Sequence, residues 1–183
     1  GLAPTGGYIV GRGDLIERIS YRLTAPGIGR EVGSYAGSYQ PFYQGLFMAP
    51  HVVAQALKTS VLAAAICEEL HMRSTPASDA RRTDIIQALE LGTPERLVAF
   101  CQGIQMASPI DSMALPEPWD MPGYQHQVIM AAGTFVSGAS IELSADAPMR
   151  EPYTVFLQGG LTYSHGKLAL TRTFEYLRKK GLL

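Results

Sequence analysis

The longest apolar stretch of the chain, Leu46–Leu70, is the feature that most limits how the sequence can fold. Pro50, Lys58 and the pair Glu68–Glu69 interrupt it. Because a membrane span needs about 20 predominantly apolar residues, we interpret the stretch as a buried helix of a soluble protein. Pro50 suits the first turn of that helix, which is predicted to reach about Met72. Its apolar positions cover most of its circumference, so we expect it to pack on several sides, as a helix between two subdomains would.

The part of the chain after this helix predicts a compact α+β unit with the element order β-α-βββ-α. A strand is expected at Ile85–Leu91, and Thr93 with Pro94 is typical of a helix start, with the helix ending near Gln105. Three apolar runs separated by Gly and Pro turns predict an antiparallel meander: 128–133, 139–145 and 153–159. Apolar residues spaced four and three apart then predict a final helix over Tyr163–Lys180.

The first 45 residues are less regular. Tyr8–Val10 is predicted to form a short strand, and Asp14 is predicted to cap a helix that ends near Leu23. Residues 25–45 are rich in glycine, proline and aromatic residues, which favours a shaped loop. The polar stretch 73–82 is the clearest domain boundary. The Gly-rich opening resembles the interior of a longer protein, so we expect the chain to be a fragment.

The charge and the cysteine content argue against several classes of binding partner and indicate the cellular compartment. The chain of 183 residues carries 15 basic and 16 acidic side chains, a net charge of −1, without a long run of one sign. A nucleic acid or an anionic membrane surface is therefore not expected as a partner, because both need concentrated positive charge. The two cysteines, Cys67 and Cys101, are interpreted as buried thiols. With no signal-peptide pattern at the start, a reducing, cytoplasmic location is expected.

Familiar nucleotide and metal motifs fail on their spacing. The run Gly160–Leu168 is one residue too long for a P-loop, and Leu168 stands where a hydroxyl would hold magnesium. A dinucleotide-binding pattern begins at Gly11, but Ile16 replaces its third glycine. The four histidines are scattered without zinc-ligand spacing, so no metal ligand is assigned.

Arg150 is the leading candidate for a binding residue, because prolines on both sides hold it on stiff backbone just before a predicted strand. A preorganised guanidinium binds a carboxylate through two hydrogen bonds. The alternative is a surface arginine that pairs with Glu142 or Glu151.

Two further segments are candidates. Trp119 and Tyr124 belong to a proline-stiffened loop, where side chains often serve binding; alternatively, Trp119 only anchors the loop. Tyr43, Gln44 and Gly45 come just before the predicted long helix, and a helix N-terminus after a glycine can bind an anion; alternatively, they form a plain turn.

Long runs of the sequence resemble the aluminium resistance protein family. That family is a branch of the pyridoxal-phosphate (PLP) enzymes related to methionine gamma-lyase and cystathionine lyases. The resemblance covers nearly the whole chain and matches the carboxy-terminal part of a family member, beginning just after the active-site lysine. The runs are LAPTGGYIVGR, RLTAPGIGREVG, YQGLFMAPHVV, RTDIIQALELGTPERLVAFCQGIQMASPIDS, PEPWDMPGY, VIMAAGTFVSGASIELSADAPMREPY and FLQGGLTYSHGK.

The resemblance implies an α/β protein of the aspartate-aminotransferase-like fold (fold type I). Residues 1–45 would be the tail of the PLP-binding large domain, 46–74 the interdomain helix and 75–183 the small α+β domain. Arg150 would bind the substrate carboxylate, and Trp119 and Tyr124 would face the cleft. Gln44 and Gly45, with Tyr43 beside them, would reach towards the cofactor phosphate of a neighbouring subunit, in a homodimer or homotetramer.

The implied function is that of a carbon–sulfur lyase-like enzyme that acts on amino acids by elimination, with PLP as the electron sink. The chain itself is expected to be inactive, because Lys58, Lys167, Lys179 and Lys180 are predicted to be solvated on helices, and none replaces the Schiff-base lysine. Two alternatives stay open. The chain is a truncated, non-catalytic assembly module, or the parent enzyme carries out another PLP reaction, such as decarboxylation or racemisation.

Overall fold

The computed structural model of the chain describes residues 7–23, 26–31, 37–132 and 140–183. The chain divides into two compact units, with the division between Phe47 and Met48. The predicted boundary at 45/46 lies two residues earlier. The second predicted boundary, at 74/75, falls within the unit of residues 48–183 and stays a prediction.

The first unit contains helix α1 (Gly13–Leu23) and the first turns of helix α2 (Gln40–Glu69). Asp14 does not cap α1 as predicted, because it is already inside the helix. The carbonyl oxygen of Arg12 accepts the first helical hydrogen bonds, and the Arg12 guanidinium lies 2.7 Å from the Asp14 carboxylate. This ion pair holds the pKa of Asp14 below its usual value. The strand predicted at Tyr8–Val10 is absent: the segment is exposed and irregular, and it has no ladder partner among the described residues.

Helix α2 begins ten residues before the position predicted from Pro50, which lies inside the helix. The chain offers a second proline, Pro41, that also suits a first helical turn, and the helix uses that one. Ser38 accepts a hydrogen bond from the backbone of Gln40 at its start. Pro50 removes the amide donor for the carbonyl of Leu46, but that part of the helix is exposed, so water can replace the missing donor. By length and hydropathy α2 also suits a membrane span, a property that core helices of soluble proteins share.

The second unit is built on a five-stranded antiparallel sheet with the strand order β1-β2-β5-β4-β3. The predicted meander is confirmed, since β4 lies between β3 and β5. The unit also contains β1, a two-residue strand that the sequence analysis missed. The strands are β1 (Ser74–Thr75), β2 (Ile86–Glu90), β3 (Val128–Ala132), β4 (Ser144–Pro148) and β5 (Thr154–Gln158).

Strand β4 runs about four residues later than the predicted 139–145. The first residue of that predicted run, 139, and the last residue of the run before it, 133, lie outside the described residues. Pro148 falls in the predicted turn between the second and third runs, whereas in the structure it is the last residue of β4. Pro148 lies opposite Val128, whose backbone N–H and C=O both bond to Trp119 on the other side. The missing N–H of Pro148 therefore costs no bond between β3 and β4.

Helix α3 (Pro94–Met106) packs on one face of the sheet and helix α4 (Tyr163–Lys179) packs against α3, both close to where they were predicted. Thr93 caps α3 as predicted, accepting a hydrogen bond from the backbone of Arg96, and Thr162 caps α4 in the same way. The core lies between the helices and the sheet. Its largest fully buried side chains include Phe100, Leu89, Leu97, Ile129, Leu157 and Leu170.

Both thiols are buried, as predicted, and are expected to be unreactive in the folded chain. Burial raises the pKa of Cys67 to about 12, and it also raises the pKa of Cys101. Because the thiolate is the nucleophile, modification by Ellman's reagent at pH 8 should be at least about 100-fold slower in buffer than in denaturing urea. Absorbance at the thionitrobenzoate band measures both rates. Rapid reaction of either thiol in buffer would contradict the burial.

Candidate functional site

A cavity of about 560 Å³ lies against the sheet face turned away from α3 and α4. The face is set by alternation, because successive side chains of a strand point to opposite sides. Ile129, Ala145 and Leu157 point into the core. One neighbour of each, namely Met130, Asp146 and Phe156, lines the cavity.

The floor of the cavity is a row of three side chains in register across the sheet. Met130 pairs with Asp146, and Asp146 pairs with Phe156. Met130, on the edge strand β3, is 46% exposed, and Phe156, on the central strand β5, is 41% exposed. Asp146 is half-buried, and burial raises the pKa of its carboxyl group above the usual value. The floor therefore combines apolar surface with one carboxylate.

Arg150 lines the same cavity from the turn after β4. Its backbone is fixed on both sides: its N–H bonds to the carbonyl of Pro148, and its carbonyl accepts from Tyr153. The turn is tied to the end of β2 through Leu91 and Gly92, which donate to Tyr153 and Pro152. Sequence reasoning placed Arg150 on stiff backbone, and these bonds show what stiffens it.

The guanidinium of Arg150 is exposed and has no ion pair or hydrogen bond within the described part of the chain. The alternative interpretation, a surface pair with Glu142 or Glu151, is therefore not formed in this structure. A free guanidinium on an anchored turn can donate hydrogen bonds to both oxygens of a carboxylate.

The structure brings only one of the two loop candidates into this cavity. Tyr124 lines it and is largely exposed. Trp119 instead extends the edge of β3, through two 3.0 Å backbone hydrogen bonds with Val128, and its ring is 47% exposed. Because Val128 itself lines the cavity, Trp119 lies beside the wall rather than in it.

Tyr43, Gln44 and Gly45 do not form the predicted turn before a helix. They lie inside α2, which begins at Gln40, and therefore are not at its N-terminus. Tyr43 and Gln44 are exposed and Gly45 is half-buried.

Sequence reasoning missed Asp146, together with His126 and the apolar floor. The available signal was the alternation in Ser144–Pro148, where a single acidic residue stands between two alanines. With the strand placed too early, that alternation was not applied to Asp146.

Among the residues that the structure describes, no lysine lines the cavity. Lys58 and Lys167 are exposed on helices, and Lys179 and Lys180 are exposed at the end of α4, as predicted. Within the described ranges no three histidine, cysteine or acidic side chains cluster as metal ligands would. The cavity can thus bind a charged ligand, but this chain supplies no amine there for covalent chemistry.

Comparison with known proteins identifies the fold and the family. The family model for methionine gamma-lyase matches residues 1–178. A Bacillus subtilis (strain 168) protein, YnbB, is 55% identical over 183 residues, which is all of this chain and 44% of that protein. A 33.9 kDa protein of Lactobacillus delbrueckii subsp. bulgaricus is 47% identical over 97% of this chain and 58% of its own length. The chain thus spans about half of these relatives.

Two solved structures are similar over almost the whole chain. One is a Listeria monocytogenes protein named as a candidate cystathionine beta-lyase involved in aluminium resistance. It is 52% identical, with a TM-score of 0.91 over 96% of this chain and 44% of that one. The other is a carbon-sulfur lyase involved in aluminium resistance from Clostridium novyi, 52% identical, with a TM-score of 0.88 over 95% of this chain and 40% of that one. These findings confirm the resemblance noted from the sequence, and the chain belongs to the methionine gamma-lyase family.

Proposed function

We propose that this chain is the carboxy-terminal portion of a PLP-dependent carbon–sulfur lyase that acts on amino acids by elimination. In this proposal Arg150 binds the carboxylate of the substrate, and Tyr124 and Trp119 border the site. The observation that carries the proposal is the guanidinium of Arg150, which has no partner among the described residues and lies on an anchored turn at a cavity with an apolar floor. A carboxylate at one end and a thioether along the body are what such a cavity fits.

The rest of the proposal follows from the family. The parent would have the aspartate-aminotransferase-like fold, with residues 1–45 as the tail of its large domain. Tyr43, Gln44 and Gly45 would approach the cofactor phosphate of a neighbouring subunit in a homodimer or homotetramer, in the cytoplasm. The names of the Listeria and Clostridium relatives support the lyase assignment.

The residues of this chain are suited to binding the substrate. They do not provide a lysine for covalent attachment of the cofactor, because all four lysines are exposed and none lines the cavity. Bound PLP supplies an electron sink that permits loss of a proton from the α-carbon and of a thiol from the side chain. The described residues contribute binding and orientation: Arg150 fixes the carboxylate, and the floor shields the thioether from water. The Schiff-base lysine would lie in the part of the relatives that this chain does not span.

An assay of the full-length polypeptide that contains this chain tests the proposal. Release of pyruvate or α-ketobutyrate from sulfur amino acids is expected after the protein is loaded with PLP. Carbon dioxide release or racemisation, without a keto acid, would assign a different PLP reaction. Failure of the full-length polypeptide to bind PLP would favour the non-catalytic assembly module, which the exposed lysines of this chain also fit.

The 183-residue chain alone is expected not to bind PLP covalently at one site, because its four lysines are exposed to solvent outside the cavity. Mixing it with PLP and reducing with borohydride should give at most slow, scattered labelling of the four lysines by peptide mass spectrometry. A single lysine labelled stoichiometrically, with an absorbance band of an enzyme-bound imine, would contradict this expectation.

A further inference from the structure

Asp146 has a carboxylate that does not contribute to the stability of the fold. It stands on the open face of β4, between Met130 and Phe156. Its carboxylate makes no hydrogen bond or ion pair within the described residues. A half-buried carboxylate without a partner is unfavourable, and burial raises the pKa of Asp146. An alanine or serine at this position would avoid that cost.

The cavity holds two opposite charges that do not neutralise each other. Asp146, Pro148 and Arg150 follow each other at alternate positions, and all three line the cavity. At about 3.3 Å per residue of strand, the α-carbons of Asp146 and Arg150 are at most about 13 Å apart. The two side chains form no ion pair with each other. A ligand with an anion and a cation at its two ends would therefore be complementary to this wall.

The surface around the two charges is apolar. Pro148 lies between them along the chain, and Met130 and Phe156 flank the carboxylate. Such a surface accommodates methylene groups and a thioether sulfur, since sulfur contacts with methionine and aromatic rings are favourable. His126 also lines the cavity.

We propose that Asp146 is a specificity-determining residue, which binds an ammonium group carried on the sulfur substituent of the amino-acid substrate. This inference rests on the proposed function for the assignment of the α-carboxylate to Arg150. The ligand class is therefore an S-substituted amino acid whose substituent ends in a primary amine.

Two nearly isosteric probes separate the charge from the shape: S-(2-aminoethyl)-L-cysteine and S-propyl-L-cysteine. Trp119, the single tryptophan of the chain, lies beside the cavity wall, so its fluorescence reports binding to the 183-residue chain. At pH 7.5 the aminoethyl probe is expected to bind about tenfold more tightly than the propyl probe, the effect of one charge-assisted hydrogen bond.

Asp146→Asn should remove this preference and leave the affinity for the propyl probe unchanged, and Asp146→Glu should retain part of it. Asp79→Asn, in an exposed loop, is the matched control and should keep the tenfold ratio. Asn fits the same space without the buried charge, so the unfolding temperature of Asp146→Asn should be no lower than that of the parent. Equal affinities for the two probes, an equal loss of both in Asp146→Asn, or no saturable quenching by either probe would overturn the inference.

The ratio of the affinities for the two probes tests the role of Asp146, and the lyase assay tests the proposed function. Either result can be negative while the other is positive. Keto-acid release by the full-length polypeptide, without a difference between the probes, leaves the lyase proposal intact and removes only the role of Asp146. A tenfold preference that depends on Asp146, without keto-acid release, supports the binding role and removes the lyase assignment.

Discussion

Replacing Arg150 with alanine in the full-length polypeptide is expected to lower kcat/KM for S-alkyl cysteines by about 100- to 1,000-fold. A bidentate guanidinium–carboxylate pair consists of two charge-assisted hydrogen bonds, and the loss of both is expected to cost about 3–4 kcal/mol of transition-state binding. Most of the loss should appear as a higher KM, since the carboxylate is bound in the ground state as well. Initial rates of keto-acid release over a range of substrate concentrations measure both parameters.

Arg150→Lys should recover part of this activity, because an ammonium group keeps the charge but not the planar pair of donors. Arg81, which is exposed outside the cavity, provides the matched control: Arg81→Ala should leave kcat/KM within about twofold. The stability of the fold should not change in Arg150→Ala, because the guanidinium has no partner within the described residues. A loss smaller than threefold would show that the cavity does not bind the substrate carboxylate.

The sequence predicted the second unit well because its signals are local. Thr93 and Pro94 are a cap and a first-turn proline at adjacent positions, and the structure uses both. In α4 the spacing of Leu170, Phe174 and Leu177 placed one apolar face, and all three side chains are buried. These signals depend on hydrogen bonds and contacts within a few residues, so a single sequence is sufficient to read them.

The errors arose where the sequence offers equivalent local choices or where partners are distant. Pro41 and Pro50 each suit a helix start, and only the course of the folded chain distinguishes them. Tyr8–Val10 has the composition of a strand, but a strand needs a neighbour to receive its hydrogen bonds. Pro148 is tolerated because it lies opposite Val128, which is distant from it in sequence and whose backbone bonds to Trp119 instead.

The candidate site was predictable only in part, for the same reason. Arg150 could be identified from the sequence because the prolines on either side of it restrict the backbone. Asp146 could not be identified in this way, because its role depends on which face of β4 it occupies. An error of one residue in the position of the strand exchanges the two faces. The pairing of Asp146 with Met130 and Phe156 gives that face.

The glycines of the P-loop-like run have a structural role that motif reading does not provide. Gly160 has a φ of +117°, and a Cβ atom there would lie 2.8 Å from Thr59 Oγ1 on α2. At Gly166, in the first turns of α4, a Cβ atom would overlap the same hydroxyl and lie 2.9 Å from Thr59 Cβ. Both glycines therefore allow α2 to approach the start of α4 closely.

Gly166→Ala is accordingly expected to destabilise the chain by about 2–3 kcal/mol, as overpacking of a closely packed contact does. The expectation runs against helix propensity, since alanine at an open helical position stabilises by about 0.5–1 kcal/mol relative to glycine. Thr59 is buried and branched at Cβ, so it cannot rotate away from the added methyl group. The midpoint of urea unfolding, followed by circular dichroism, measures the change in the free energy of unfolding.

A second variant separates steric overlap from a general loss of structure. Thr59→Ala removes the hydroxyl and the methyl group that the new Cβ would meet, so the double variant with Gly166→Ala should be more stable than the sum of the two single changes predicts. Gly13→Ala, at a helical glycine with open space around it, should be neutral or slightly stabilising. If Gly166→Ala were also neutral, or if the effects of Thr59→Ala and Gly166→Ala were simply additive, the close approach of α2 and α4 at this point would be wrong.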